Sequence, residues 1–227
     1  MDKVSKNIRV AILDNHQSII DGYQYRLGKD PKIEVVATTT FGVELIPMIV
    51  NHPIDVLILD LQVDTASDDS SPYPVPFTIA ELHTKYPELA ILVISSFRQP
   101  PFIKIVMKAG ASGYIFKDDQ SSILELCNIV HAIAAGGIHL SQEAYHQTYK
   151  KIPSNSFLTP RQLQALSLCA AYPGATSIEL ACLFGVKNST FRNLLSTAYA
   201  RLGVKNRISA INIAHQLGLI SIPDDPS

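Results

Sequence analysis

Cysteine is scarce in this sequence, which has only three among its 227 residues. Cys127, Cys169 and Cys182 fit neither a disulfide framework nor a Cys-x-x-Cys metal site, so we expect a reducing compartment and thiols packed as small apolar side chains. Apolar runs of the roughly 20 residues that span a bilayer are also lacking, and the amino terminus has no signal-peptide core. These absences predict a cytoplasmic protein that does not enter the membrane.

An excess of charge of one sign is lacking as well, since 19 basic residues face 20 acidic ones. The charges are unevenly distributed. Residues 1–157 hold 13 basic and 17 acidic side chains, whereas residues 158–222 hold 6 basic ones and the single acidic residue Glu179. The length fits two domains of roughly 100 to 150 residues. A basic segment after an acidic one predicts a polyanion-binding module beside a domain with another task, with accidental clustering as the alternative.

The first 136 residues alternate short apolar runs with stretches of helical period. This pattern predicts an α/β domain over residues 1–138, in which five parallel strands form a doubly wound, flavodoxin-like sheet. Pro47 interrupts the second helical stretch and is expected to kink that helix or delay its start. Gly136 and Gly137 are expected to end the last helix. The predicted strands are residues 10–13, 33–37, 55–59, 91–95 and 113–116.

Three further segments differ from this pattern. Residues 63–76 are rich in proline and aspartate and predict a long loop. Residues 139–157 are polar and contain Pro153 near their end, which predicts an interdomain linker. Residues 158–222 are helical in pattern throughout, and we expect a second, all-α domain of four helices there.

Polar side chains lie at the ends of four of the five predicted strands. Asp14 and Asn15 follow the first strand, Asp60 the third and Lys117 the fifth, and Ser95 ends the fourth. Each one alone is more often a turn or cap residue. The carboxyl ends of parallel strands meet at one edge of a sheet, so together they predict a site that binds a divalent cation and accepts a phosphoryl group on Asp60. Asp14 would then face the metal, and Lys117 and Ser95 the phosphoryl oxygens.

Four motifs carry these residues: IRVAILDNH, DVLILDL, LVISS and KAGASGYIFKD. They resemble the receiver domain of bacterial two-component response regulators over residues 8 to about 136. The resemblance implies that a sensor histidine kinase phosphorylates Asp60 with bound Mg²⁺. It also implies that Ser95 contacts the phosphoryl group and that Lys117 corresponds to the lysine conserved in this family. It also implies that Tyr114 rotates with Ser95 on activation, the alternative being a half-buried aromatic at the sheet edge.

Two departures from the family bear on the metal. Asn15 stands where receivers usually have a second acid that touches the metal, and because an amide brings no charge we expect weaker Mg²⁺ binding. The usual short turn is replaced by the long segment after Gln62. The backbone carbonyl of Gln62 is the expected further metal ligand. Asp64, Asp68 and Asp69 either replace the lost charge or belong to a solvated loop. These departures leave a pseudo-receiver as the alternative, regulated by a ligand, protein contact or abundance without phosphorylation.

The third predicted helix of the second domain covers roughly residues 188–202 and follows a tight turn at FGVKN, which is a helix-turn-helix pattern. Arg192 and Asn193 suit base-edge readout, and Lys187, Lys205 and Arg207 suit phosphate contacts. Each basic residue alone is more often a solvated surface charge. The predicted DNA-facing residues are Lys187, Ser189, Thr190, Arg192, Asn193, Ser196, Lys205 and Arg207.

The strings LTPRQLQAL, IELACLFGVKNSTFRNLL and ARLGVKNRISAI resemble the LuxR-type DNA-binding domain of NarL/FixJ response regulators. Here AYPGATS is about two residues longer than the usual turn, and Leu194 and Ser189 replace a frequent His and Lys. The resemblance implies a transcription factor without enzymatic activity that binds double-stranded DNA as a homodimer. A small flavodoxin-like enzyme is the competing class, and the lack of a glycine-rich phosphate loop after the first strand argues against it.

Overall fold

The computed structural model describes residues 7–149, 158–217 and 219–220. Its strands are β1 Ile8–Leu13, β2 Ile33–Thr39, β3 Val56–Leu59, β4 Asp64–Ala66, β5 Asp69–Pro72, β6 Ala90–Ser95, β7 Gly113–Phe116 and β8 His139–Leu140. Six of them form a parallel sheet in the order β2-β1-β3-β6-β7-β8, beside a separate two-stranded hairpin, β4-β5. The five predicted strands are all present, which confirms the doubly wound sheet, and β8 is a short sixth strand.

Helices cover both faces of the sheet, because successive side chains of each buried strand point to opposite sides. In β1, Val10 and Ile12 pack in one apolar cluster, and Ala11 and Leu13 pack in the other. Gly136 adopts a positive φ of 85° and follows the end of helix Leu126–Ala134, as predicted. The helices of this domain are α1 Gln17–Leu27, the 3₁₀ turn η1 Gly42–Glu44, α2 Leu45–Asn51, α3 Val75–Lys85, α4 Pro100–Lys108, α5 Gln120–Leu124, α6 Leu126–Ala134 and α7 Gln142–Tyr149.

Pro47 delays the second helix, which was one of the two predicted effects. Helix α2 begins only at Leu45, after η1, so Pro47 is its third residue. Proline is tolerated there because the first amides of a helix have no partner within the helix.

The prediction of a loop over residues 63–76 is largely wrong, since β4 and β5 pair as an antiparallel hairpin and α3 begins at Val75. Side-chain hydrogen bonds hold the hairpin. The Thr65 hydroxyl donates to the Ser71 carbonyl at 2.8 Å, and the Ser71 amide donates to the Asp69 carboxylate at 2.9 Å. The hairpin strands carry little apolar surface, so no hydrophobic alternation indicated them.

Tyr73, directly after the hairpin, packs against Gly42 of η1. A Cβ atom at Gly42 would lie 2.1 Å from Cγ of the Tyr73 ring. We therefore expect Gly42→Ala to destabilise the protein by about 1–3 kcal/mol, because an added methyl group must displace the ring. Urea unfolding measures this change. Gly22→Ala, within α1, is the matched control. Apart from its chain neighbours and its own helix backbone, no atom of the described residues lies within 4 Å of a Cβ built there. Gly22→Ala should therefore be neutral or stabilising by up to about 1 kcal/mol. Equal stability of the two variants would contradict the packing of Tyr73 on Gly42.

The linker predicted over residues 139–157 contains regular structure as far as residue 149. The exposed edge of β7 explains β8, because the edge offers unpaired backbone groups. The His139 backbone amide donates to the Ser112 carbonyl at 2.9 Å, and the Ser141 backbone amide donates to the Tyr114 carbonyl at 3.0 Å. Helix α7 follows and packs against α4 and β7. The rest of the predicted linker, residues 150–157, lies outside the described residues.

The second domain has the four predicted helices. Thr159 and Thr176 each begin a helix with a capping box, in which the threonine and the third helical residue bond each other's backbone amides. In the third of these helices, Leu195 is buried and Leu194 is half-buried. Among the described residues, no helix combines the length and apolar character needed to cross a membrane. The helices are α8 Pro160–Ala171, α9 Ser177–Leu183, α10 Asn188–Leu202 and α11 Arg207–Gln216.

Candidate functional site

The sheet brings the predicted acceptor residues together at the carboxyl ends of β1, β3, β6 and β7. The strand ends are held in register by backbone hydrogen bonds: the Asp60 amide donates to the Leu13 carbonyl at 2.9 Å, and the Lys117 amide donates to the Ser95 carbonyl at 3.1 Å. Asp14, Asp60 and Ser95 are all buried. The predicted convergence of these side chains is therefore found in the structure.

Lys117 lies between the two carboxylates. Its Nζ atom is 2.7 Å from Oδ2 of Asp14 and 2.9 Å from Oδ2 of Asp60. Burial raises the pKa of Asp60, and the Lys117 ammonium opposes part of that rise. Burial by itself would lower the pKa of Lys117, but the Asp60 and Asp14 carboxylates raise it above its usual value. The ammonium thus stays charged and partly balances two buried anions.

Ser95 and Tyr114 both contact the backbone of Phe97. The Ser95 hydroxyl accepts a hydrogen bond from the Phe97 amide at 3.4 Å, and the Tyr114 hydroxyl donates to the Phe97 carbonyl at 2.8 Å. Tyr114 is fully buried, so the alternative of a half-buried edge aromatic is wrong. Burial also raises the pKa of Tyr114, which keeps its hydroxyl protonated and able to donate.

Two oxygen atoms at this edge are buried without a hydrogen-bond partner in the part of the chain that the structure describes. They are Oδ1 of Asp60 and Oδ1 of Asn15. Orphaned carboxylate and amide oxygens beside the Asp14 carboxylate form the kind of oxygen-rich donor set that Mg²⁺ prefers, so the residues present fit this cation. The Gln62 backbone lies near the Asp60 carboxylate and lowers its pKa, which places the start of the segment after β3 beside the site.

The three aspartates of the hairpin do not join this donor set. Across the described ranges, no group of three or more acidic, histidine or cysteine side chains is placed to hold a metal ion. Asp68 and Asp69 are exposed, and Asp64 is half-buried on β4. The solvated alternative therefore describes them better than replacement of the charge that Asn15 lacks.

One residue near the site was missed from the sequence. Arg98 lies three residues after Ser95, and its guanidinium contacts the carboxylates of Asp118 and Glu143. Asp118 directly follows Lys117, so a charged pair on two neighbouring strand-end loops was the signal available in the sequence.

The predicted DNA-facing residues lie on α10 and its flanks, with one exception. Arg207 begins α11, is half-buried, and donates from its guanidinium to the carbonyls of Ala175 at 2.9 Å and Pro173 at 3.2 Å. These bonds close the unusually long turn between α8 and α9, so Arg207 holds the fold of this domain. The exposed members of the predicted set are Lys187, Ser189, Thr190, Arg192, Asn193, Ser196 and Lys205.

Comparison with known proteins agrees with both halves of the chain. The family model described as the response regulator receiver domain matches residues 10–128. The transcriptional regulatory protein DesR of Bacillus subtilis is 27% identical over 211 residues, covering 93% of this chain and 98% of DesR. The DNA-binding transcriptional activator DevR/DosR of Mycobacterium tuberculosis is 25% identical over 225 residues, covering 96% of this chain and 99% of that protein.

Solved structures share the fold over nearly the whole chain. RcsB from Salmonella enterica serovar Typhimurium, bound to promoter P1flhDC in the presence of the phosphomimetic BeF3−, superimposes with a TM-score of 0.73. The two sequences are 21% identical, and the match covers 93% of this chain and 100% of RcsB. The resemblance to NarL/FixJ response regulators is thereby confirmed, and the chain belongs to the response regulator receiver domain family, with a LuxR-type domain after the receiver.

Proposed function

We propose that this protein is a DNA-binding transcriptional response regulator in which phosphorylation of Asp60 controls the LuxR-type domain. One observation carries the proposal: a buried carboxylate with an orphaned oxygen lies beside the Lys117 ammonium, in a chain whose α10 exposes a polar and basic face. The relatives support it, since they are described as transcriptional regulators. The RcsB structures add support, because RcsB has been solved bound to DNA.

Phosphorylation uses one carboxylate oxygen of Asp60 as the nucleophile, and the other oxygen is left for Mg²⁺. The bond from the nucleophilic oxygen to phosphorus forms while the bond from phosphorus to the donor's leaving atom breaks. In the unphosphorylated protein, Oδ2 is hydrogen-bonded to Lys117 and Oδ1 has no partner among the described residues. A phosphohistidine of a sensor histidine kinase is the proposed donor. Lys117 then shares its charge with the phosphoryl oxygens, and the Ser95 hydroxyl donates to one of them.

The oxygen donors for Mg²⁺ are Asp14, Asn15, Asp60 and the backbone carbonyl of Gln62. The cation, when bound, neutralises charge where Asp60 and the incoming phosphoryl group approach each other. The retained carboxylate, hydroxyl and lysine favour this function over a pseudo-receiver, which needs none of them.

The proposed output is binding to double-stranded DNA by a homodimer in the cytoplasm, without enzymatic turnover of a small molecule. Arg192 and Asn193 would read base edges in the major groove, and Lys187 and Lys205 would contact phosphates. Ser189, Thr190 and Ser196 add hydroxyl donors on the same exposed side. Because Arg207 is bonded to the turn before α9, we no longer propose it as a phosphate contact.

The test is DNA binding by the full chain with and without acetyl phosphate and Mg²⁺. Fluorescence anisotropy of a labelled duplex of mixed sequence measures the affinity. We expect acetyl phosphate to change the affinity of wild type and to leave Asp60→Ala unchanged. A response of the same size in both proteins would reject control through Asp60.

Restoring the missing acid should strengthen Mg²⁺ binding. Asn15→Asp replaces a neutral amide by a hard anionic ligand, so we expect the Mg²⁺ dissociation constant to fall about tenfold, which corresponds to about 1.4 kcal/mol. Calorimetric titration of the unphosphorylated protein measures it. Asn51→Asp, at the exposed end of α2, adds the same charge away from the site and should leave the constant unchanged. Equal affinities in wild type and Asn15→Asp would place residue 15 outside the metal site.

A further inference from the structure

Arg98 joins three parts of the receiver. Its guanidinium lies over the ring of Phe116, with 4.6 Å from Cζ to the ring centroid. One nitrogen contacts both carboxylate oxygens of Asp118, at 2.5 Å to Oδ2, and another contacts the carboxylate of Glu143. We call these four residues the Arg98 cluster. A guanidinium pairs two carboxylates and a ring at once only because it is a planar fork of donors.

The members of the Arg98 cluster come from both acceptor-site loops and from α7. Arg98 follows Ser95 by three residues, and Asp118 directly follows Lys117. Glu143 lies in the first turn of α7, which packs on α4 and β7. The cluster therefore connects the two groups that would hold the phosphoryl oxygens to a helix on the way to the second domain.

The segment that carries Arg98, residues 96–101, includes the start of α4 and also contacts the second domain. A Cβ atom at Gly203, which ends α10, would lie 3.4 Å from Cδ of Pro101 and 3.9 Å from Cβ of Gln99. A small space is also lined by apolar side chains from both domains, among them Leu163 and Phe102, the residue after Pro101. Residues 96–101 thus run from the acceptor site to the end of α10.

We propose that Arg98 is a positioning residue that holds residues 96–101 between α7 and α10, so that phosphorylation of Asp60 reaches the DNA-binding helix through this segment. The inference rests on the proposed function. A phosphoryl group on Asp60 would draw Ser95 and Lys117 toward its oxygens, and both loops would then move the carboxylate and guanidinium that the cluster pairs. Tyr114 adds to the connection, since its hydroxyl holds the carbonyl of Phe97 next to Arg98.

The Arg98 cluster is partly exposed, and this decides what to measure. The side chains of Arg98, Asp118 and Glu143 are 39%, 70% and 49% exposed. Exposed ion pairs contribute little to global stability and are screened by salt. Variants in the cluster should therefore fold normally, and local exchange and coupling are the informative readouts.

The first experiment is hydrogen exchange of α7 in the unphosphorylated full chain. We expect Arg98→Gln and Glu143→Gln to raise the exchange rates of α7 amides about threefold or more, and Arg98→Lys to restore part of the protection. In 1 M salt, exchange in wild type should approach that of Arg98→Gln, which a role in packing alone would not produce. Glu81→Gln, an exposed glutamate of α3, is the control. Unchanged exchange in Arg98→Gln would overturn the inference.

The second experiment measures coupling. Intact mass gives the phosphorylated fraction after incubation with acetyl phosphate and Mg²⁺, and anisotropy gives the affinity for a labelled duplex of mixed sequence. We expect Arg98→Gln to be phosphorylated like wild type but to lose at least threefold of the affinity change caused by phosphorylation. A full affinity change in Arg98→Gln would overturn the inference. If wild type gains no phosphoryl mass, the proposed function fails, and the exchange experiment alone decides the role of Arg98.

Discussion

Incubation of the full chain with acetyl phosphate and Mg²⁺ should add the mass of one phosphoryl group to wild type and none to Asp60→Ala. The expected loss is complete, because Asp60 supplies the only oxygen in this mechanism that bonds to phosphorus. Its Oδ1 atom is buried without a hydrogen-bond partner and is the oxygen that Lys117 leaves free. Intact mass spectrometry of the native protein is the measurement.

Asp68→Ala is the matched control for this experiment. It removes an aspartate from the exposed turn of the hairpin, close in sequence to Asp60 but outside the donor set. We expect the same phosphorylated fraction as in wild type. Phosphorylation of Asp60→Ala would assign the acceptor to another residue, and an unmodified wild type would revive the pseudo-receiver alternative.

Lys117 should matter nearly as much as Asp60. Removing one preorganised donor to a developing anion typically costs about 10²-fold or more in rate. Lys117→Ala also removes the ammonium that pairs with the buried Asp14 and Asp60 carboxylates, so some of the loss has a structural cause. Lys117→Arg keeps the positive charge and tests the remainder. We expect Lys117→Arg to fold like wild type and to be phosphorylated more slowly than wild type but faster than Lys117→Ala.

The sheet and the convergence of the candidate acceptor residues were predictable from the sequence because their signals are local and periodic. Buried parallel strands are continuous apolar runs, and residues such as Asp60 and Lys117 come directly after them. Parallel topology then places the strand ends at one edge whatever the connecting helices do. The convergence of the candidate acceptor residues therefore followed from the parallel topology of the sheet.

The hairpin and the partners of the arginines were not predictable in the same way. The hairpin is held by bonds such as Thr65 to Ser71, which leave no apolar period in the sequence. Arg98 and Arg207 look like solvated charges, and only the fold decides which carboxylates or carbonyls lie within their reach. Arg207 is the instructive case, because a basic residue beside a helix-turn-helix suggested a phosphate contact while the longer turn before α9 gave it a structural role.

DNA affinity of the full chain should fall roughly 10²-fold between 50 and 200 mM salt, the loss expected for about four phosphate contacts. Two exposed lysines on each subunit of a homodimer, Lys187 and Lys205, account for that number. Anisotropy titrations across this salt range give the slope. Binding that is independent of salt would reject the exposed side of α10 as the DNA interface.

Single substitutions should separate base readout from phosphate contact. We expect Lys205→Ala to weaken binding to all duplexes alike and to reduce the salt slope by about 1 per subunit, while Arg192→Ala should also lose about 1–3 kcal/mol of discrimination between sequences. Lys85→Ala, on α3 of the receiver, removes the same charge and should change neither quantity.

Arg207→Ala should differ from all three, because it leaves the carbonyls of Pro173 and Ala175 without their charged donor. Its stability should fall by about 1.5–3 kcal/mol in urea unfolding, and any loss of DNA affinity should follow that fall. Unaltered stability with a reduced salt slope would return Arg207 to the phosphate contacts.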